Sequence, residues 1–142
     1  MRISRNNKGF TLVELLVVIA IIGLLASVAV ASLGSARAKA RDATRASDMQ
    51  AFRSAIELFK DGPSGNAPTA ATWQADLAQY LPKFPVDPRN PAQVYTYTNA
   101  GDDSSWAIAF TTEQNGSLGN AGQYCAHSAG IEAAVGGVCT ER

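Results

Sequence analysis

The sequence is poor in the residues that build catalytic and metal sites, with one histidine, His127, and two cysteines, Cys125 and Cys139. These ligands are too few for a structural zinc site. A Ser–His–Asp or Cys–His arrangement would have to use His127, which lies among small residues and which we expect at the surface. No serine lies in a nucleophile-elbow glycine pattern, and no Gly-Lys loop for a phosphate is present. The sequence therefore predicts a protein that is not an enzyme.

The formal net charge is zero, but the charges are unevenly distributed along the chain. Residues 1–9 carry three basic side chains and no acidic one, and residues 34–61 carry six basic and four acidic side chains. Residues 62–142 carry three basic and seven acidic side chains, a net charge of about −4. This balance argues against a nucleic-acid-binding face in the C-terminal part.

Proline is missing from the first 62 residues, and one stretch there is almost free of charge. This stretch, KGFTLVELLVVIAIIGLLASVAVAS, covers residues 8–32. As a helix, the 24 residues from Phe10 to Leu33 would be about 36 Å long, enough to cross a bilayer of ~30 Å. Glu14 is the one ionisable side chain within them. A carboxylate at mid-membrane costs about 2.5–3.5 kcal/mol on insertion scales, so Glu14 requires an explanation.

Three interpretations leave Glu14 unexplained. A plain membrane anchor agrees with the length of the stretch. A secretory signal peptide agrees with the basic start and with AVA at 29–31 before Ser32, although the apolar run is longer than usual for such a peptide. A buried core helix is disfavoured, because a domain of this size can hardly cover a helix that is apolar all round.

A fourth interpretation gives Glu14 a partner. Cleavage between Gly9 and Phe10 would create a new α-ammonium group four residues before Glu14. A carboxylate near a helix N-terminus is also favoured by the macrodipole. In an array of such helices, Glu14 of one subunit could neutralise the Phe10 amine of its neighbour and set the axial register.

The N-terminal stretch resembles the class III signal of type IV pilins and pseudopilins. The matching residues follow one another in the family's order: Gly9, Phe10, Thr11, Leu12 and Glu14. The resemblance implies cleavage after Gly9 by a membrane prepilin peptidase, followed by N-methylation of Phe10. Methylation keeps the charge of the amine, so the proposed pairing with Glu14 is retained.

The resemblance also implies a topology and a set of partners. Residues 1–9 would lie in the cytoplasm, and the single span would sit in the cytoplasmic (inner) membrane with the C-terminal part outside. The subunit would join a homo-oligomeric filament with other pilin-like subunits, on a membrane platform driven by a separate cytoplasmic ATPase. Many family members have a proline where Ala31 stands here, so Gly23 and Gly34 become the expected weak points of the helix.

The segment after the span continues the helical pattern. Met49, Phe52, Ile56 and Phe59 recur at helical spacing and predict a face that covers the core of a globular head. The upstream face, which is rich in alanine and arginine, is expected to contact neighbouring subunits. The DGPSG sequence at 61–65 is a helix stop, so one helix is predicted over 10–60.

The rest of the chain predicts a small sheet. A short helix is expected around 72–80, and strands are expected at 93–98 and 105–112 with Trp106, Ile108 and Phe110 on one face. NAGDDS between these strands predicts a hairpin, and one further strand is expected near 123–126. The predicted fold class is α+β, with a long N-terminal helix packed on a small antiparallel sheet, as in type IV pilins. The expected parts of the chain are the leader at 1–9, the transmembrane and filament-core helix at 10–33, the amphipathic extension at 34–61, and the head at 62–142.

The spacing of Cys125 and Cys139 suits a disulfide in an exported domain, worth roughly 3 kcal/mol in the chain-entropy model. Two free thiols are the alternative.

A second resemblance lies in the head. The loop containing Pro82, Pro85, Asp87, Pro88 and Asn90 is loosely similar to the loop before the sheet of the major pseudopilin of type II secretion. That family binds calcium late in its sheet. In this chain Asp102 and Asp103, near Asn99 and Ser104, offer oxygen ligands for calcium, although adjacent carboxylates are also ordinary in a solvated turn. No other cofactor is expected.

The function predicted from these resemblances is that of a structural subunit of a type IV pilus-like or type II secretion pseudopilus filament. Two alternatives remain. One is a membrane-anchored extracytoplasmic binding module that does not polymerise, and the other is a secreted domain with an ordinary signal peptide.

Overall fold

The structure, a computed structural model, describes residues 9–63, 65–99, 105–135 and 139, and only the backbone of Ala31. The chain divides into two compact units, with the boundary between Ala36 and Arg37. One helix, α1, covers Leu12–Lys60 and contributes residues to both units.

Helix α1 is 49 residues long and starts two residues later than predicted, because Thr11 serves as its N-cap. Neither Gly23 nor Gly34 interrupts it. The helix ends at Lys60, where the amide of Gly62 donates to the carbonyl of Phe59 at 3.1 Å. A Cβ at Gly62 would lie 2.9 Å from that carbonyl oxygen, so the close turn requires glycine.

From Leu12 onwards, the first unit is an apolar helix. All side chains described between Phe10 and Leu33 are exposed, and Phe10 is 90% exposed. Within the part of the chain that the structure describes, α1 is the one helix long and apolar enough, by length and composition, to cross a membrane.

The second unit contains a four-stranded antiparallel sheet with strand order β1-β2-β3-β4. The strands are β1 (Thr96–Asn99), β2 (Trp106–Thr112), β3 (Gly122–His127) and β4 (Gly130–Ala133). β1 and β2 pair with Tyr97 opposite Ile108. Because β1 and β2 are consecutive along the chain, they form the predicted hairpin.

The core lies between the C-terminal part of α1, the short helix α2 (Trp73–Leu77) and one face of the sheet. Met49, Phe52 and Ile56 are fully buried, so the predicted apolar face of α1 covers this core. Trp73 stacks on Tyr97 with ring centroids 5.1 Å apart. On the sheet, the predicted inward face of β2 is buried as well, through Trp106, Ile108 and Phe110. The predicted α+β class is therefore confirmed.

Three boundaries differ from the prediction. The strand expected at 93–98 begins only at Thr96, because residues 88–93 form turns and a bend. α2 spans five residues rather than nine, and Pro82 restricts the residue before it to extended conformations. Strand β4 was not predicted. Its sequence GIEA, in a segment rich in glycine and alanine, carries no alternation of apolar and polar residues.

Candidate assembly and charge sites

The N-terminus of α1 carries a reciprocal hydrogen-bonded cap. The Glu14 amide donates to Thr11 Oγ1 at 3.2 Å, while Glu14 Oε2 accepts from the Thr11 amide at 2.8 Å and from Thr11 Oγ1 at 2.9 Å. This is a capping box, in which a threonine and a glutamate three residues later satisfy amides that the first helical turn leaves free. Within one chain, Glu14 therefore has a local polar partner.

The predicted cleavage site lies just before this cap. Gly9 and Phe10 are both exposed and precede the first helical residue, so the bond between them is accessible. Cleavage there would leave the new amine one residue from Thr11 and four from Glu14. The roles predicted for Gly9, Phe10 and Glu14 depend on processing and on a neighbouring subunit, and they stay predictions.

A dense charge network joins α1 to the head. The side chain of Arg45 is fully buried and forms a bidentate ion pair with Asp87, with Nε 2.7 Å from Oδ2 and Nη2 3.0 Å from Oδ1. Its Nη1 donates to Asp42 Oδ1 at 2.6 Å and to Glu113 Oε1 at 2.9 Å. Its Nη2 also donates to Gln93 Oε1 at 2.8 Å. Every donor nitrogen of the guanidinium thus has a partner.

The acidic members of the network are held by further groups. Arg41 forms a second bidentate pair with Glu113, at 2.7 Å and 2.6 Å. The carboxylate of Asp42 accepts from the amides of Glu113 and Gln114, at 2.9–3.0 Å. These contacts connect α1 directly to the turn between β2 and β3.

The network fixes the charge states of its members. Hydrogen bonds from Arg41 lower the pKa of Glu113, and Arg45 adds to this against the opposing effect of burial, so that the pKa falls to about 2. Burial alone would raise the pKa of Asp87, but hydrogen bonds from Arg45 and from the Arg89 amide outweigh it and lower the pKa below its ordinary value. Both carboxylates therefore remain ionised well into the acidic range.

This network corrects, for Arg41 and Arg45, the prediction that the alanine- and arginine-rich face of α1 contacts neighbouring subunits, and for the exposed Arg37 that contact stays a prediction. Arg45 points into its own head, because three carboxylates and a glutamine oxygen surround it there. The signal in the sequence was weak: Asp87 lies in the loop that resembles the pseudopilin loop, but nothing near Arg45 marks it as buried. Its partners Asp87 and Glu113 are 42 and 68 residues away.

A second polar contact supports the same loop. The Tyr95 hydroxyl donates to Asp48 Oδ2 at 2.7 Å. Burial raises the pKa of Asp48, and the hydrogen bond from Tyr95 partly offsets that effect. Burial and the hydrogen bond to Asp48 raise the pKa of the Tyr95 hydroxyl, which therefore remains a donor.

The prediction that His127 lies at the surface is wrong. His127 is the last residue of β3 and only 2% exposed, with Nε2 facing the carboxylate of Glu132 on β4. The residues from Tyr124 to His127 are all buried, so both faces of this strand are covered. No group of three or more His, Cys, Asp or Glu residues able to hold a metal occurs among the residues described.

The two cysteines form the disulfide that their spacing favours. Cys125 in β3 and Cys139 are bonded with a Cα–Cα distance of 5.5 Å. The bond ties the C-terminal part of the chain to the middle of the sheet. The candidate calcium ligands Asp102 and Asp103 lie outside the described residues, so their role stays a prediction.

Comparison with known proteins identifies relatives of this chain. Residues 4–30 match the family described as the prokaryotic N-terminal methylation motif, the motif of prepilin-type filament subunits. The chain is 29% identical to type II secretion system core protein G of Pseudomonas aeruginosa, over 80% of this chain and 90% of that protein. It is 31% identical to the core protein G of Escherichia coli, over 76% of this chain and 83% of that protein.

A pilus component is similar over a shorter region. The type IV wide pilus major component PilA4 of Thermus thermophilus is 60% identical over 38 residues, which are 27% of this chain and 29% of that protein. No solved structure gives a significant match. The chain belongs to the family of type II secretion system core protein G.

The predicted relationship to type IV pilins and pseudopilins is thereby confirmed. The prediction that the chain is a structural subunit of a filament of pilin-like chains is confirmed with it. The family and the apolar N-terminal helix together indicate an anchor in a membrane.

Proposed function

We propose that this chain is a structural subunit of a type II secretion pseudopilus and has no catalytic activity. The observation that carries the proposal is the extent of its similarity to core protein G, which covers most of this chain, the head included. Similarity to PilA4 is confined to 38 residues. Pilus subunits share the filament-forming helix, so the head is the part that distinguishes a secretion subunit from them.

Processing and topology follow from the N-terminal motif. Residues 1–9 form a cytoplasmic leader that a membrane prepilin peptidase removes after Gly9, and the new Phe10 amine is methylated. The segment 10–33 spans the cytoplasmic membrane and later forms the filament core. The segment 34–61 extends the helix into the head at 62–142, outside the cytoplasm.

Assembly exchanges lipid contacts for contacts between helices. Burial of apolar side chains differs little between a bilayer and a bundle of similar helices, so packing and polar pairs decide the balance. Glu14 pairs with the Phe10 ammonium of a neighbouring subunit and sets the axial register. Thr11 holds the Glu14 carboxylate in place until that ammonium arrives. A membrane platform with its own cytoplasmic ATPase supplies the energy.

The N-terminus of the mature chain tests the processing step. We expect mass spectrometry of the chain from native membranes to find N-methylated Phe10 as the first residue. A mature chain that begins at Met1 would instead be a retained membrane anchor, and one that begins at Ser32 would be a secreted domain. Either outcome would overturn the proposal.

Two variants separate the pairing role of Glu14 from its role in the cap. Glu14→Gln removes the charge, and we expect it to insert in the membrane but to be lost from filaments. Thr11→Val removes the hydroxyl of the cap but keeps the carboxylate, and we expect it to enter filaments. Filaments can be sheared, sedimented and probed for the chain. Equal incorporation of Glu14→Gln and wild type would rule out pairing as the organising contact.

A further inference from the structure

Four basic side chains follow the apolar segment, and the head neutralises two of them. Arg45 is fully buried against Asp87, Asp42 and Glu113. Arg41 forms its own bidentate pair with Glu113. These two cations are therefore committed to contacts within the chain and are not available to a partner.

The other two, Arg37 and Lys39, remain available. Both are exposed, and neither forms an ion pair with any acidic side chain in the described ranges. The acidic residue nearest in sequence is Asp42, three positions after Lys39. The Asp42 carboxylate is already occupied by Arg45 and by the amides of Glu113 and Gln114.

The distance of Arg37 and Lys39 from the apolar segment places them at the level of lipid headgroups. They follow Leu33 by four and six residues. That separation is about 6 and 9 Å along a helix, and even an extended backbone would reach only about 14 and 21 Å. Headgroups occupy roughly 5–8 Å on each side of the hydrocarbon. From about 6 and 9 Å along the helix, the long side chains can reach back to the lipid phosphates.

We propose that Arg37 and Lys39 form two binding points for anionic phospholipids in the outer leaflet of the membrane that the subunit spans. This rests on the proposed membrane insertion. Residues two apart on a helix point to different sides, so each cation binds its own lipid. The partner is a phospholipid whose headgroup carries a net negative charge. A zwitterionic headgroup has no net charge and offers no net attraction. Each contact strengthens association about fivefold.

These contacts have a consequence for assembly. A subunit that leaves the bilayer for the filament must release both anionic lipids. Membranes rich in anionic lipid therefore retain the unassembled subunit more strongly, and salt weakens that retention because it screens exposed charges.

The full mature chain, reconstituted in phosphatidylcholine vesicles, tests the proposal. Electron spin resonance of spin-labelled phosphatidylglycerol and spin-labelled phosphatidylcholine gives the ratio of their association constants with the protein. We expect wild type to prefer phosphatidylglycerol at low salt, and 1 M NaCl to remove the preference. Because each cation binds its own lipid, Arg37→Gln and Lys39→Gln should each remove about half of the preference, and the double variant should abolish it.

The control is Arg53→Gln with Lys83→Gln, which removes one arginine and one lysine from the second unit and should keep the wild-type preference. A double variant at Arg37 and Lys39 that keeps the full preference would overturn the proposal. So would a control that loses as much as that variant does. If neither labelled lipid is immobilised, the chain does not span the bilayer, and the proposed function fails together with this inference.

Discussion

Arg45 and Asp87 form a bidentate ion pair in which neither side chain is more than 1% exposed. Arg45 lies on α1 and Asp87 in the loop before the sheet, 42 residues apart in the sequence. Burying two ions is expensive, and the pair is tolerable only because each ion also has further polar partners. Removal of one partner leaves the other ion buried without the opposite charge that it faces.

Replacing Arg45 should therefore destabilise the head severely. We expect Arg45→Met to lower the free energy of unfolding by about 3–5 kcal/mol, because it leaves the buried Asp87 carboxylate without its ion-pair partner. The measurement is denaturant unfolding of the full chain in detergent, followed by the fluorescence of Trp73 and Trp106. Arg45→Met combined with Asp87→Leu should recover much of the loss. Lys83→Met, at an exposed position, is the control, and an equal loss in that variant would contradict the role of the network.

Low pH should reduce the stability of the head, because Glu113 becomes protonated. Its pKa falls from 4.5 to about 2 on folding, so its contribution to stability is complete above pH 4.5 and is lost as the pH approaches 2. We expect the difference in unfolding free energy between wild type and Glu113→Gln to be constant above pH 4.5 and to shrink below it. Glu57→Gln, which removes an exposed carboxylate, controls for lost charge. A difference that stays constant down to pH 2 would argue against the assignment.

Loss of the disulfide should destabilise the chain without disturbing α1. Cys125 and Cys139 are 14 residues apart, and closing a loop of this size contributes about 3 kcal/mol in the chain-entropy model. We expect Cys139→Ser to lower the unfolding free energy by about this amount. A reducing agent should destabilise wild type to the same extent and leave the variant unchanged. A further loss in the variant on reduction would show that the agent acts elsewhere.

The Tyr95 hydroxyl should control the ionisation of Asp48. Tyr95→Phe removes a hydrogen bond of 2.7 Å to a partly buried carboxylate, so we expect the pKa of Asp48 to rise further above its ordinary value. Carbon-13 NMR of the Asp48 carboxyl during a pH titration measures this change. We also expect a loss of about 1.5–3 kcal/mol in unfolding free energy at a pH at which the titration shows Asp48 to be ionised. An unchanged titration curve would mean that the hydroxyl does not hold this carboxylate in solution.

The sequence predicted the elements whose pattern is local. The apolar spacing of Met49, Phe52 and Ile56 identified the buried face of α1, and the alternation of Trp106, Ile108 and Phe110 identified the inner face of β2. The N-terminal motif, which is contiguous, placed the predicted cleavage site and Glu14 without reference to the rest of the chain.

Contacts between segments that are distant along the chain could not be predicted from the sequence. Arg45 lies among charged and small residues, a composition typical of an exposed helix, and only the folded chain brings Asp87 and Glu113 to it. His127 follows small residues that are buried on both faces of β3, so no alternation distinguished it from a surface residue.

The exposed apolar surface of α1 determines where a filament can grow. A free subunit in water would leave a Val-, Leu- and Ile-rich surface unsheltered, at about 1.5–3 kcal/mol for each large side chain. Subunits therefore cannot travel through the surrounding fluid to a distant tip. If the proposed function holds, each subunit must pass from the bilayer directly onto the membrane-proximal end of the fibre. A broken fibre therefore elongates again from the part that is still attached to the cell, whereas the detached part does not elongate.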